Sequence, residues 1–361
     1  MQNESKLSWI HSAWFDVAFI LSPPFLCLLL IALFPDFFQF NESEPEWIWL
    51  ILVVCIDVGH VYSTIYRTYF DKQIIQQNKT LFYLSPLLIY ITGVVLYSFH
   101  PIAFWRAMAY LAVFHFIRQQ YGFMRLYSRN ENNVIAKRID AITIYACTIY
   151  PLLYWHFSGK QLFNWFVEGD FIYFNIPSAI PVLTILYVII LTIYFIKEIY
   201  LFVKHSTFNL PKNMLLIGTA ISWYFGIVYF KGDLTFTLLN VVSHGIPYYA
   251  LVWAHGNKKS QSTEVHSSWL KKFFKPSYVL IFLFVLFLLA YAEELIWDGF
   301  IWKEHFLVFP SSHLMPDITD SKIFMTICVP LFALPQLLHY FIDGFIWKIK
   351  NDQFNWAKYF K

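Results

Sequence analysis

Charge is scarce in these 361 residues. Asp, Glu, Lys and Arg make up 14% of the chain, while 58% is hydrophobic and 21% aromatic; a soluble domain carries roughly a quarter charged residues. That deficit excludes an ordinary water-solvated surface. Long basic runs are missing and the net charge is only +3, so nothing points to nucleic acid as a partner. Cysteine is limited to Cys27, Cys55, Cys147 and Cys328, all within apolar stretches. Their spacing suits neither a disulfide framework nor a zinc site, and they read as small core residues. No small-residue cleavage site follows the first apolar block, so a cleavable signal peptide is not expected. No internal repeat is evident, which leaves an inverted-repeat transporter without support.

What the chain has in abundance is apolar blocks of about 20 residues, the length that crosses a bilayer as a helix. The expected fold is all-α: one integral, multi-pass membrane domain over 1–361, placed in a bacterial inner membrane. Ten spans are predicted at 12–34, 46–70, 81–99, 102–128, 138–157, 178–204, 212–230, 233–255, 276–296 and 323–349. Loop charges orient them. Alternate loops carry Lys72 and Lys79; Arg129 and Lys137; Lys204 and Lys212; Lys258, Lys259, Lys271, Lys272 and Lys275; and the tail Lys350, Lys358 and Lys361. The opposite set carries Asp36, Glu42, Glu44 and Glu46; Glu168 and Asp170; Asp233; and Glu293, Glu294 and Asp298. This alternation predicts cytoplasmic termini at both ends. It also makes 256–275 a cytoplasmic basic linker on anionic membrane lipid, and 297–322 an extracytoplasmic loop.

Four polar interruptions fall inside apolar spans: Asp57-Val58-Gly59-His60, His115 to Gln120, Asn240 to His244, and His339 to Asp343. Ionisable groups at such depth are costly and mark function. The four spans run in the same direction under this topology. His60, His115, His244 and His339 lie about 14, 13, 11 and 16 residues into them, so at ~1.5 Å per residue their depths agree within roughly 8 Å. Each has a polar companion on its own helix face, three or four residues away: Asp57, Arg118 and Gln119, Asn240 and Tyr248, and Asp343. Such neighbours hold the second nitrogen of a metal-bound imidazole. The four histidines are therefore candidate metal ligands, with Asp57 and Asp343 as ligands or orienters. Arg118, Gln119 and Tyr248 are candidate catalytic groups, and Arg118 is expected to pair with Asp57, Asp343 or an anionic part of a substrate. A proton or substrate relay in a transporter, and unconnected interhelical polar groups, stand as alternatives.

A second polar layer, with His11, Asp16, Arg67, Tyr121, Arg125 and His255, reads as a snorkelling interfacial rim or a cytoplasmic mouth for substrate or an electron donor. His100, His156, His205, His266, His305 and His313 are expected in or beside loops, solvated. Pro247, Pro330 and Pro335 are expected to kink their spans.

Imidazole and carboxylate ligands suit iron, copper or zinc. With no soluble domain to handle a polar substrate, a lipid-like substrate is expected, and His-ligated iron would suit its oxidation by dioxygen. Haem held by two of the histidines is the alternative cofactor. The His-x-x-x-His and His-x-x-His-His boxes of membrane desaturases and hydroxylases are absent. Gly59-His60 and the His115-Phe116 segment resemble instead the motifs of the Brp/Blh-type membrane carotene dioxygenases. That family spreads isolated histidines over several transmembrane helices around a non-haem iron. The family's Pro-His-Gly order is not reproduced here. The resemblance implies iron and an isoprenoid-like substrate.

Overall fold

The computed structural model describes residues 8–39, 45–159, 164–230, 232–261, 268–348 and 354. Among them there is no strand. The principal helices are α1 (Pro23–Leu33), α2 (Gly59–Arg67), α3 (Lys79–Phe99), α4 (Pro101–Tyr127), α5 (Val134–Phe157), α6 (Ile180–His205), α7 (Leu210–Trp223), α8 (Val242–Ser260), α9 (Ser268–Phe273), α10 (Val279–Trp297), α11 (Lys322–Phe332) and α12 (Leu334–Ile346). π-Helical turns at Val17–Leu21, Leu50–Val58, Tyr224–Tyr229, Thr237–Val241 and Asp298–Trp302 adjoin several of them.

The helix ends follow local chemistry. Asn133 caps α5 by accepting from the Ile135 and Ala136 amides at 3.0 and 3.1 Å, the usual service of an N-cap amide oxygen. Asn209 does the same for α7 through the Lys212 amide, and Pro211 follows in its first turn, where a missing N–H costs nothing. Helix α6 stops at Ser206, whose left-handed φ of 49° turns the chain away. The apolar run 322–346 breaks between α11 and α12 at Ala333, just before Pro335. Pro247 and Pro330, by contrast, lie inside continuous α8 and α11.

Among the described residues, helix covers most of each of the ten predicted spans. Five helical stretches are long and apolar enough to cross a membrane: Glu46–Arg67, Lys79–Phe99, Pro177–His205, Pro276–Trp302 and Lys322–Ile346. A sixth is gained if Ala13–Leu21 and Pro23–Leu33, bent by 52°, count as one span. The figure falls short of ten largely because polar groups dilute the rest. Arg106, Arg118 and Arg125 interrupt α4, Lys137, Arg138 and Asp140 open α5, and Ser243 and His244 open α8. Both termini lie outside the described residues, as do Glu42, Glu44, His266 and the tail lysines.

The chain divides into two compact units, 1–42 with 113–247 and 43–112 with 248–361. In the first, α5 packs against α6 and α7, and α7 also packs on α1. Tyr150 and Tyr187 stack at 4.3 Å in its core. In the second, α2 and its π-helical lead-in pack on α10, while α12 packs on α2 and α3. A cluster around Tyr66, Tyr249, Phe274 and Phe282 forms its core.

Many large hydrophobic side chains are exposed. In the most hydropathic window of the α6 stretch only 11% of residues are buried, and Val182, Ile185, Ile189, Ile193, Ile196 and Ile199 all face outward. An apolar face of that extent needs a hydrocarbon solvent rather than water. On the same helix Lys197 and Glu198 turn inward. There Lys197, Lys212, Asp140, Glu198 and Glu131 form one ion-paired network, with Lys212 Nζ 3.2 Å from Asp140 and 3.0 Å from both Glu131 and Glu198.

Candidate metal centre

His60 is the second residue of α2, directly after the π-helical Leu50–Val58. The widened turn leaves the Cys55 carbonyl to a side-chain donor, the Tyr249 hydroxyl at 2.7 Å. Gly59 makes room for that hydroxyl, since a Cβ there would sit 2.1 Å from the Tyr249 oxygen. His244 is the third residue of α8 and also follows a π-helical turn, Thr237–Val241. Here Asn240 donates to the Ser222 and Phe236 carbonyls at 3.2 and 3.3 Å, and its amide nitrogen lies 2.3 Å from where a Cβ on Gly226 would be. π-Helical turns gather at functional sites because they re-aim a side chain within a helix. His115 stands mid-way along α4 and His339 near the middle of α12.

All four rings are buried, each at most 5% exposed. His60 and His339 meet edge to face with centroids 5.0 Å apart, as do His115 and His244 at 5.0 Å. Phe116 stacks on His244 at 3.6 Å. One nitrogen from each of His60, His115, His244 and His339 lies within 4.8 Å of the other three. Imidazole nitrogens bind a divalent ion at ~2.0–2.1 Å, which places opposite ligands about 4 Å apart. The quartet therefore has the spread of ligands around a single centre and could hold one metal ion.

The companions take more specific places. Asp57 Oδ1 is 3.6 Å from His60 Nδ1, close but beyond a hydrogen bond, and its side chain is 25% exposed. Asp343 Oδ1 is 3.8 Å from His339 Nδ1, and reaches that ring through two hydroxyls instead. Tyr248 donates to Asp343 Oδ1 at 2.6 Å, Thr64 Oγ1 lies 2.8 Å from the Tyr248 hydroxyl, and His339 Nδ1 lies 2.7 Å from Thr64 Oγ1. The protons then have one order. Tyr248 spends its single proton on Asp343, so Thr64 donates to Tyr248 and accepts from Nδ1–H of His339. This fixes the tautomer that leaves Nε2 of His339 as the ligand atom. Trp347 Nε1 also donates to the Tyr248 oxygen, at 3.3 Å.

Gln119 Nε2 donates to the His244 carbonyl at 2.8 Å, and its buried Oε1 meets no hydrogen-bond partner among the described residues. Arg118 points elsewhere. It is exposed, donates to the Tyr145 hydroxyl at 2.6 Å and lies over the Tyr121 ring. Asp16 accepts from the Ile10 and His11 amides at 2.5 and 3.0 Å and from Tyr127 at 3.3 Å, which is the work of a backbone clamp. His156, expected to be solvated, is buried in the last turn of α5 with Nδ1 2.7 Å from the Leu152 carbonyl. His305, expected likewise, stacks on Trp49 at 3.6 Å. Burial of flanking aromatics rather than loop position decides both.

Sequence reasoning missed Thr64 and Trp347. Neither stands out from the helical apolar pattern, since a threonine in a span usually bonds its own backbone. The Lys197–Lys212 network was also missed, although Lys197-Glu198 inside an apolar run was a visible signal.

Fold and site together define an all-helical protein with membrane-length apolar helices and a buried four-histidine cluster able to take a metal ion. Neither a family model, nor a curated protein, nor a solved structure matches the chain.

Proposed function

We propose that this protein is a metal-dependent membrane oxidoreductase, an oxygenase with non-haem iron, acting on a lipid or isoprenoid-like substrate. The observation that carries the reading is the quartet of buried imidazole nitrogens within 4.8 Å of one another. A set of nitrogen ligands without thiolate suits iron, copper or zinc. Of these, iron and copper carry out dioxygen chemistry on carbon while zinc does not, and the dioxygenase resemblance favours iron. The closeness of the rings favours a bare ion over haem, because a porphyrin needs the plane around its iron clear of further side chains. In this reading His60, His115, His244 and His339 hold the ion and Asp57 and Asp343 lend it negative charge. Tyr248 can hold or pass a proton at its hydroxyl oxygen, and Gln119 Oε1 offers the buried acceptor that orients substrate. The apolar surroundings exclude water and accept a hydrocarbon chain. The resemblance of Gly59-His60 and His115-Phe116 to Brp/Blh-type dioxygenase motifs supports the same substrate class. The reading also includes ten spans, cytoplasmic termini and a bacterial inner membrane, which rest on the loop charges.

Elemental analysis of the detergent-purified protein tests it. One equivalent of iron is expected, falling below a tenth of that in His60→Ala and His339→Ala variants that keep the wild-type helical signal. Metal-free wild-type protein after growth and purification with iron present would overturn the reading, and a Soret band would replace it with haem.

A further inference from the structure

Away from the histidines, positive charge gathers around one small cavity in the second unit. Arg67 closes α2, His255 and Lys259 lie in the last two turns of α8, and Lys271 stands on α9. With Asp71 and Phe274 they line a space of about 30 Å³, which is roughly two water volumes. That suits one phosphate or carboxylate group and is too small for an apolar chain. Among the described residues, three permanent cations and one carboxylate line this space. Asp71 is itself committed: Oδ2 takes Lys259 Nζ at 2.5 Å, and Oδ1 caps the next helix through the Gln73 and Ile74 amides.

Arg67 and Lys259 are held in place before any ligand arrives. Arg67 Nη2 donates to the Ile346 carbonyl at 2.6 Å, and the guanidinium lies 4.0 Å over the Trp347 ring. The floor is equally fixed. Phe274 packs so closely on α8 that a Cβ on Gly256 would fall 2.1 Å from its ring, and Asn257 Nδ2 holds the Phe274 carbonyl at 2.7 Å. A preset planar guanidinium and ammonium, with a second ammonium lining the same group-sized space, are what phosphate recognition uses. Loop charges put this end of α2 and α8 on the cytoplasmic side, where anionic headgroups concentrate.

We propose that this cavity binds a single phosphate group, presented either by an anionic membrane lipid or as free phosphate. The proposal is independent of the metal centre.

Thermal unfolding of the full detergent-purified chain tests it, with dioctanoyl phosphatidic acid, dioctanoyl phosphatidylcholine and inorganic phosphate titrated separately. A ligand that binds only the folded state raises the midpoint saturably. Phosphatidic acid is expected to do so, and phosphatidylcholine is not. Lys271→Glu should weaken the apparent affinity about ten-fold or more and Lys271→Gln by less, while Lys137→Glu, the same charge change outside the cavity, leaves it within about two-fold. If inorganic phosphate reproduces the shift, free phosphate is the source; if only the lipid acts, a headgroup is. No saturable shift with either, an equal shift with phosphatidylcholine, or equal behaviour of Lys271→Glu and Lys137→Glu would overturn the proposal.

Discussion

Replacing Thr64 with valine should loosen metal binding without unfolding the protein. Valine keeps the β-branched shape and removes only the hydroxyl, which links His339 Nδ1 at 2.7 Å to the Tyr248 hydroxyl at 2.8 Å. Two hydrogen bonds disappear, each worth about 0.5–1.5 kcal/mol net. Tyr248 keeps its bond to Asp343 and the one from Trp347, so the stability loss of the metal-free protein should stay near 1–3 kcal/mol. The larger consequence falls on the ligand. Without an acceptor at Thr64, the Nδ1–H and Nε2–H forms of His339 become comparable in energy, and the ring loses its rotational anchor. Partners of this kind contribute about 10–100-fold to metal affinity, or about 1.4–2.8 kcal/mol. The assay is chelator competition at fixed pH on wild type, Thr64→Val and Thr64→Ser, with serine restoring most of the affinity. Wild-type affinity in Thr64→Val would refute the chain of protons from His339 to Asp343.

Gly59→Ala should lower stability by about 1–3 kcal/mol through overpacking, because its Cβ would meet the Tyr249 oxygen at 2.1 Å. Adding Tyr249→Phe should recover part of that, since the nearest remaining ring carbon is 3.5 Å away; a double-mutant cycle by thermal unfolding reads the coupling. Lys212→Met should cost about 3–5 kcal/mol, because Lys212 is 1% exposed and balances Asp140, Glu131 and Glu198. The Lys212→Met/Asp140→Asn pair should be more stable than Lys212→Met alone. Stripping metal with a strong chelator should lower the unfolding midpoint, and restoring one equivalent should return it; a midpoint that ignores the metal would argue against a structural contribution from the quartet.

Much of this architecture was legible in the residues because helix periodicity and hydrocarbon burial both act on short stretches of chain. The apolar runs located the helical stretches, five of them long and apolar enough to cross a membrane, and the histidines inside them form the buried cluster. What local pattern could not supply was the partner of each polar group. Asp343 and His339 are four apart and share a face, yet their side chains stay 3.8 Å apart and communicate through Thr64 and Tyr248. Thr64 is 275 residues from His339 in sequence, and no spacing rule connects them. Arg118 also shares a helix with His115, but the competition for its guanidinium was won by Tyr145, which offers a hydroxyl at 2.6 Å.

The π-helical turns supply the physical link between sequence and centre. An extra residue in a helical turn shifts every later side chain by about 100° around the axis, and leaves a carbonyl without its usual amide. The freed carbonyl appears in the turn before His60 and ahead of Tyr224–Tyr229, the turn against which Asn240 of the turn before His244 packs. In the first case Tyr249 takes the Cys55 carbonyl over Gly59; in the second Asn240 takes the Ser222 carbonyl over Gly226. A glycine is needed each time because the rescuing polar group occupies the volume of a Cβ. The insertion therefore depends on a paired glycine and a distant hydrogen-bond donor, and losing either member should drive the helix back toward regular α geometry. That would rotate His60 away from His339, with which it now shares a 5.0 Å edge-to-face contact. Gly59→Ala should accordingly weaken metal binding as well as folding, and Tyr249→Phe should fail to restore the metal affinity even where it restores stability, because the Cys55 carbonyl is then left without its donor.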